Sequence, residues 1–478
     1  MKKIPILKKD LFQHQVNNLQ FHLTKTRSAD WSDCGTGKSL IALAKFAMLY
    51  RQGLVKSLLI VCPLSVVESW ADQIEEHTYF NYTKLVGSLE RKIKLLGSNS
   101  SIFIISYDSL PGRRDSTLGV LLDKVIQHKF GMIILDEVTF AQNMTTLRTK
   151  ALQILCDRAG YVIGLSGTPS DRDLTKLLTI YRIIDRGETF GENIYRARNI
   201  YFKNIGWKFP KWAIKPEIEK EFQERMFINA VRVRKEECLD LPEKVWNKRI
   251  SYLSKDQVEL YRPIADGLVH KMEFDEGNVR VDNILTQLMK LSQIAGGFLY
   301  TDKDPVLFHP NPKLLLLRDL IFEIPLREKI IIYRWWVKET ELIADMLSSV
   351  GQNYVILAGA MSPKDRERIV DKFMEDQEIR IMIASPTTGG FGLTLTAASY
   401  IIYYNMSWGL TAFNQSQDRI HRIGQKQTCF YYVLQLKDSI DEYILENLKE
   451  GTQISSELTN HKTWSRLKRN LKLIKGNE

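Results

Sequence analysis

The stretch Asp33-Cys34-Gly35-Thr36-Gly37-Lys38-Ser39 carries the clearest chemistry in the chain. Gly35 and Gly37 allow a loop whose backbone N–H groups turn inward. The helix-forming run Leu40-Ile41-Ala42-Leu43-Ala44 behind it adds the positive end of a helix dipole, and the two together make an anion seat. Lys38 is placed to reach the outer phosphates of a nucleotide, and the Ser39 hydroxyl to hold a magnesium ion. Ser32 stands where the general pattern has a further glycine. Downstream, four apolar residues, Met132-Ile133-Ile134-Leu135, end in Asp136 and Glu137. Open α/β sheets bind ligands at the carboxyl ends of their strands. Asp136 is therefore a candidate magnesium ligand beside Ser39, and Glu137 a candidate base for a water. In the segment 11–16, the amide of Gln15 offers a donor and an acceptor suited to an adenine edge; a polar helix start explains the same residues. Far along the chain lies Gln415-Ser416-Gln417-Asp418-Arg419-Ile420-His421-Arg422-Ile423-Gly424-Gln425. On a helix, Gln415, Arg419 and Arg422 share one face. Such arginines can act on a phosphate held elsewhere, an effect of roughly 10³–10⁵ in rate. A solvated basic face is the competing reading.

These residues need elements to position them. The apolar runs 57–63, 102–107, 132–137 and 161–165 read as buried parallel strands, alternating with helical patterns such as 66–77. Segment 28–32, directly before the phosphate loop, reads as a poor buried strand. The alternation predicts a doubly wound, mostly parallel sheet up to about residue 180. The pattern blurs over 189–246, where 205–212 mixes aromatic, basic and proline residues and suits either a nucleic-acid surface or a packed aromatic cluster. Helical patterns cover 255–274 and 284–294. A second α/β unit begins at Lys313, with strands at 329–333, 354–357, 379–384 and 400–404, helices at 338–348 and 365–373, and a glycine-rich loop at 385–392. The expected division is 1–235 for a nucleotide-binding lobe, 236–312 for a linking helical segment, 313–450 for a second lobe and 451–478 for a basic tail. That tail suits a helix lying on DNA or one packed on the core.

The totals narrow the class. The chain has 478 residues, with 67 basic against 56 acidic and a net charge of +11, a balance that suits a polyanionic partner. No apolar stretch is long enough to span a bilayer, and no secretory h-region follows Met1. Five scattered cysteines lack metal-ligand spacing and fit a reducing cytoplasm.

Taken in order, these motifs resemble those of the Swi/Snf-like ATPases of helicase superfamily two, over roughly residues 8–450. The matching segments are 11–15, Asp33 to Ser39, Ile60-Val61-Cys62-Pro63-Leu64-Ser65 with Trp70, Asp136-Glu137-Val138-Thr139 with Gln142-Asn143, Ser166-Gly167-Thr168-Pro169, Gly389 to Leu395, and Gln415 to Gln425. The resemblance implies an α/β fold of two RecA-like doubly wound parallel-sheet domains in tandem, with helical elements between them. It implies ATP and Mg2+ as cofactors. Gln15, Gly35, Thr36, Gly37, Lys38, Ser39 and Gly392 would bind the nucleotide, and Gln415, Arg419 and Arg422 would join Lys38, Asp136 and Glu137 in catalysis. Ser65, Ser106, Thr388 and Gly390 match positions that face nucleic acid in the family. The expected partner is duplex or branched DNA with little sequence preference, with replication or recombination proteins as further candidates and no membrane. The expected function is a DNA-stimulated ATPase motor that translocates and remodels DNA or protein–DNA complexes, branch migration and annealing included. A strand-separating helicase and a nucleotide-switched adaptor are the rival readings. Thr139 replaces the usual histidine, Thr394 the usual asparagine, and Ser407-Trp408-Gly409-Leu410 the usual Trp-Asn-Pro signature. The chain looks like a minimal bacterial or phage motor core, cytoplasmic and open to association with the nucleoid.

Overall fold

A computed structural model describes residues 7–110, 118–167, 169, 173–206, 210, 212–238, 241–274, 281–359, 361–387, 393–406, 408–422, 424–451 and 467. The chain forms two compact units, the first over Met1–Asp240 and the second over Leu241–Gly389 and Leu393–Glu478.

The first unit is built on β1 (Arg27–Asp30), β2 (Leu58–Cys62), β3 (Tyr82–Lys84), β4 (Ile102–Ser106), β5 (Met132–Asp136) and β6 (Tyr161–Leu165). An antiparallel ribbon of β7 (Phe202–Asn204) and β8 (Trp212–Ile214) precedes β9 (Ala230–Val231). The sheet runs β3-β4-β2-β5-β6-β1-β9, and all its pairs are parallel. The apolar runs are continuous because both faces are covered. Leu59, Val61, Ile133 and Leu135 join one core, while Leu58, Ile60, Met132 and Ile134 join another. Helix α1 (Gln13–Leu23) precedes β1, α2 (Lys38–Arg51) follows the phosphate loop, and α3 (Val67–His77) follows β2.

The expectation of a poor strand before the loop is corrected. β1 is fully buried, between β6 and β9. Its polar residues are tolerated because each has a partner. The Arg27 guanidinium donates to the carbonyls of Ile184, Cys156 and Ala159. Ser28 and Asp30 both meet His22, and Trp31, just beyond, donates from Nε1 to the Tyr181 hydroxyl at 3.0 Å.

The second unit contains β10 (Lys244–Ser251), a hairpin of β11 (Phe298–Leu299) and β12 (Val306–Leu307), β13 (Lys329–Tyr333), β14 (Tyr354–Leu357), β15 (Ile381–Ala384), β16 (Ala398–Tyr403) and β17 (Cys429–Leu436). Its main sheet runs β10-β17-β16-β13-β15-β14, again parallel throughout. Ile331, Met382 and Tyr403 face one core and Ile330, Ile381 and Ile402 the other. The tandem pair of parallel α/β domains is therefore as the sequence implies. Of the stretch 236–312, expected to link the halves, the part from Leu241 onward folds with the second unit instead. Lys244–Ser251 pairs with β17 along its whole length, and Tyr261, Leu268, Leu288 and Leu291 share a core with Ile331 and Tyr403. In the tail, Leu467 is buried in that same core; the remainder of 452–478 lies outside the described residues.

Among the described residues, no helix is long and apolar enough to cross a membrane. None of the five cysteines is in a disulfide.

Candidate nucleotide site

β1 delivers the phosphate loop and β5 the acidic pair to the same edge of the first sheet. Asp30, Leu165 and Asp136 stand in register across β1, β6 and β5, so their carboxyl ends are level. Gly35 and Gly37 have φ of +86° and +92°, a region that favours glycine. Gly37 is also the N-cap of α2, with no side-chain cap and no acid in the first turn. That leaves the positive helix end suited to an anion. A Cβ at Gly37 would also meet the terminal amide of Gln15, which would have to shift.

Gln15 is buried and its amide serves the loop. Its Nε2 donates to the Thr36 carbonyl at 3.1 Å, and its Oε1 accepts the Phe12 N–H at 3.0 Å. In this structure the helix-start role is the one visible, and the amide also braces the loop. His14 Nε2 lies 2.9 Å from the same carbonyl. The Thr36 hydroxyl closes the loop on the Asp33 carbonyl at 2.8 Å. Lys38 Nζ donates to the carbonyls of Ser32 and Asp33, at 2.7 and 3.1 Å. Burial opposes its charge, but Cys34, Asp30, Glu137 and Asp136 together outweigh burial and raise its pKa. Ser39 lies in the first turn of α2.

Asp136 ends β5, and its Oδ2 accepts a 2.8 Å hydrogen bond from Trp70 Nε1 on α3. Burial raises its pKa against the pull of Trp70 and Lys38. Glu137 adopts a left-handed conformation, φ 49° and ψ 55°, at the start of the short helical turn Val138–Ala141 that contains Thr139. A left-handed non-glycine residue is uncommon, and such strain clusters at functional sites. Ser166 Oγ donates to Glu137 Oε2 at 3.3 Å. A Cβ on Gly167 would lie 2.9 Å from Cys34 Sγ and 3.8 Å from Lys38 Nζ, so the segment after β6 meets the phosphate loop.

Behind the loop is a network that the sequence reading missed. His22 on α1 and Asp30 on β1 are fully buried, with Nε2 3.4 Å from Asp30 Oδ2 and Nδ1 2.9 Å from Ser28 Oγ. Burial lowers the pKa of His22 and keeps the ring neutral. Burial alone would raise the pKa of Asp30, but the His22 hydrogen bond, Lys38 and the Ser32 N–H, 2.9 Å from Oδ1, pull it lower. Asp30 thus fixes the first residue of the loop and sets a negative charge near Lys38. The signal was a carboxylate inside a strand-length segment, with a histidine eight residues before it.

Ser65 is exposed just past β2, and Ser106 is buried at the end of β4 with its Oγ 2.9 Å from Ser109 Oγ. Both are on the carboxyl edge, on the side of β5 away from β1. Thr388, Gly390 and Gly392 lie outside the described residues.

In the second unit, the expected helical face through Gln415, Arg419 and Arg422 is corrected. The helix Leu410–Gln417 carries Gln415 and stops before the arginines. The carbonyls at its end take side-chain and backbone donors together: that of Gln417 accepts the Tyr431 hydroxyl at 3.1 Å and the His421 N–H at 3.3 Å, and that of Ser416 the Tyr333 hydroxyl and the Arg419 N–H, both at 3.4 Å. Arg419 and Arg422 sit in the irregular turn that follows. The Leu395 N–H donates to the Arg419 carbonyl at 3.0 Å, and Arg422 Nη1 to the Leu393 carbonyl at 3.3 Å. His421 Nε2 lies 2.8 Å from the Pro242 carbonyl, and Gln425 Nε2 reaches the carbonyls of Ala398, Thr396 and Ile420. His421 and Gln425 thus clamp the turn that carries the arginines.

The donor set fits a magnesium-bound nucleoside triphosphate: a left-handed glycine loop at a helix start, a lysine, a hydroxyl in the first turn and a carboxylate at the next strand end but one. Two tandem parallel-sheet units, the first carrying this edge, define a tandem α/β core with a nucleoside triphosphate site. Residues 29–296, more than half of the chain, match the model of the SNF2-related domain, and residues 312–424 that of the helicase conserved C-terminal domain. The chain belongs to the SNF2-related family. It is 26% identical over 423 residues to an uncharacterized ATP-dependent helicase of Mycoplasma genitalium, covering 87% of this chain and 38% of that protein. It is 26% identical over 473 residues to a Caenorhabditis elegans homolog of SWI/SNF-related matrix-associated actin-dependent regulator of chromatin subfamily A-like protein 1, covering 95% and 63%. The chain therefore spans less than two thirds of each of these relatives. The Sulfolobus solfataricus SWI2/SNF2 ATPase core in complex with dsDNA aligns over 98% of both chains, at 22% identity and a TM-score of 0.45.

Proposed function

We propose that the chain is a magnesium-dependent, DNA-stimulated ATPase that translocates on duplex or branched DNA and remodels DNA or protein–DNA complexes. The observation that carries this reading is the meeting of Lys38 with Asp136 and Glu137 at one sheet edge, in a chain whose second unit holds Arg419 and Arg422 in a clamped turn.

Residues 35–39 would cradle the phosphates, with Gln15 bracing the loop. Ser39 and Asp136 would hold the magnesium ion, which supplies charge neutralisation when bound. Glu137, held by Ser166, would orient a water and take its proton. Arg419 and Arg422 would stabilise the charge that develops on the transferred phosphoryl group. Gln415 would support them from the helix before the turn. Ser65 and Ser106, with Thr388 and Gly390, are the proposed backbone contacts to DNA. Such contacts carry little sequence information and give a steep salt dependence.

The test is steady-state ATPase with and without duplex DNA for wild type, Lys38→Ala and Arg422→Ala. Turnover in the wild type that rises with DNA and collapses in both variants is expected. Equal turnover in all three would end the proposal.

A further inference from the structure

The last strand of the first sheet carries a feature that the nucleotide chemistry does not use. β9 pairs with β1 on its inner side, and the chain beyond it continues to back the phosphate loop. The Val233 N–H donates to Ser32 Oγ at 2.9 Å, the Lys235 N–H to Asp33 Oδ2 at 3.0 Å, and the Asp33 N–H to the Val233 carbonyl at 3.0 Å. Between these inward groups Arg232 and Arg234 are exposed, while Val233 is half-buried and Lys235 buried. That is the two-residue period of extended chain, and it puts both guanidinium groups on one side.

Both arginines line an open, shallow cavity with Phe227, Ala230, Val231 and Glu237. Glu237 is tied to its own turn, its Oε2 accepting the Arg234 N–H at 3.3 Å. Two guanidinium forks match the oxygens of a phosphate.

We propose that this cavity takes a phosphodiester of bound nucleic acid and that residues 232–235 pass its occupancy to the phosphate loop. The proposal rests on the DNA-stimulated reading above. Any shift of the arginine backbone moves the N–H groups of Val233 and Lys235. Those groups hold Ser32 and Asp33, whose carbonyls accept the hydrogen bonds of Lys38 Nζ. An acidic peptide would also pair with two arginines; the chain's net charge of +11 and the DNA-stimulated reading favour the phosphodiester.

The experiment titrates a fluorescent DNA duplex against salt, and measures the ratio of ATP turnover with and without duplex. It compares wild type, the pair Arg232→Ala with Arg234→Ala, and the pair Arg232→Lys with Arg234→Lys. Each lost phosphate contact lowers the slope of log affinity against log salt by about 0.9, so the alanine pair is expected to lose about 2. Its stimulation ratio is expected to fall at least ~3-fold at saturating duplex, from the lost relay. The lysine pair, which keeps charge but not the forks, is expected to recover the slope, which an unfolded protein would not do. A wild-type slope and ratio in the alanine pair would overturn the proposal while leaving the motor reading intact. Absence of both DNA binding and stimulation in the wild type would remove the motor reading itself. Polyglutamate binding that needs the arginine pair, with duplex binding indifferent to it, would assign the cavity to an acidic protein.

Discussion

Behind the phosphate loop of the first unit, His22, Asp30, Lys38 and Lys45 are ionisable, and burial or neighbouring charge shifts each of them. Around the arginine turn of the second unit, the buried side chains that hold position are Gln425, His421 and Ser416, and most of their contacts go to backbone carbonyls. The first unit places its reactive groups with charge against charge. The second places its arginines with dipoles on fixed carbonyls. A low-dielectric interior makes the first arrangement stronger and more sensitive to protonation. The second fixes shape chiefly through hydrogen bonds to the backbone. Mutations behind the loop should therefore change pH dependence as well as rate, and removal of the neutral clamp Gln425 should change rate without displacing the pH profile.

The largest expected effects test the charged side directly. Lys38→Ala removes the phosphate-reaching ammonium and leaves Asp30, Asp136 and Glu137 without their shared cation. Glu137→Gln keeps the shape and removes the base. Each should lower kcat/KM for ATP by roughly 10³ or more, about 4 kcal/mol of transition-state stabilisation. Steady-state kinetics checks this, and an effect below tenfold for either would take catalysis away from this edge.

The contrast lies between the two functional edges, since the second unit also buries an ion pair away from its turn. Lys313 Nζ lies 2.8 Å from Asp441 Oδ2, both fully buried, and that oxygen also accepts the Leu436 N–H. Lys313→Met strands a buried carboxylate. The expected loss is about 3–5 kcal/mol of stability by denaturant titration. The companion Lys313→Met with Asp441→Leu should recover most of it, since neutral packing removes the stranded charge.

Lys45 sharpens the pH side. It is buried in α2, donates to the Lys25 carbonyl at 2.9 Å, and burial lowers its pKa to about 7. In the unfolded chain it titrates at the ordinary lysine value, so between about pH 7 and 10 the unfolded state binds more protons. Stability from this group is therefore complete only above the unfolded pKa and falls as pH drops toward 7. His22, also held neutral by burial, adds a loss of the same sign below its own unfolded value. Lys45→Met should stabilise the protein at pH 6 by roughly 3 kcal/mol. It should have little effect at pH 10, where the lost hydrogen bond to Lys25 is what remains. Urea titrations at the two pH values check this, and equal effects at both would show that the ammonium is not held out of water.

Much of the first unit was legible because its strands are short apolar runs buried on two faces, a pattern visible without knowing neighbours. The phosphate loop and the acidic pair were legible for a related reason: glycine conformation, helix dipole and strand-end position are local. β1 was not, because its polar residues are made tolerable by His22, Ile184, Cys156 and Ala159, partners far apart in sequence. β10 was missed for a similar reason. As an edge strand it leaves Trp246, Lys248 and Ile250 exposed, and its partner β17 lies almost two hundred residues later. The arginine string suggested a helix, since nothing local to it announces the irregular turn after Gln417, where the Arg419 N–H drops back to the Ser416 carbonyl three residues before it.

The smallest expected effect, at Gln425, separates the two edges most cleanly. Its Nε2 reaches three carbonyls and its Oε1 accepts the N–H groups of Lys426 and Gln427, both at 2.9 Å. Gln425→Leu keeps the volume and removes all five contacts, which should destabilise the protein by about 1–3 kcal/mol through unsatisfied carbonyls. If the clamp sets the position of Arg419 and Arg422, kcat should also fall several-fold with KM for ATP nearly unchanged, because those arginines would act on the transition state and not on binding. No ionisable group is altered, so the pH profile of kcat/KM should keep its shape. A displaced profile would mean that the turn is electrically coupled to groups that titrate, and the contrast between a charged edge and a dipolar one would fail at the second unit.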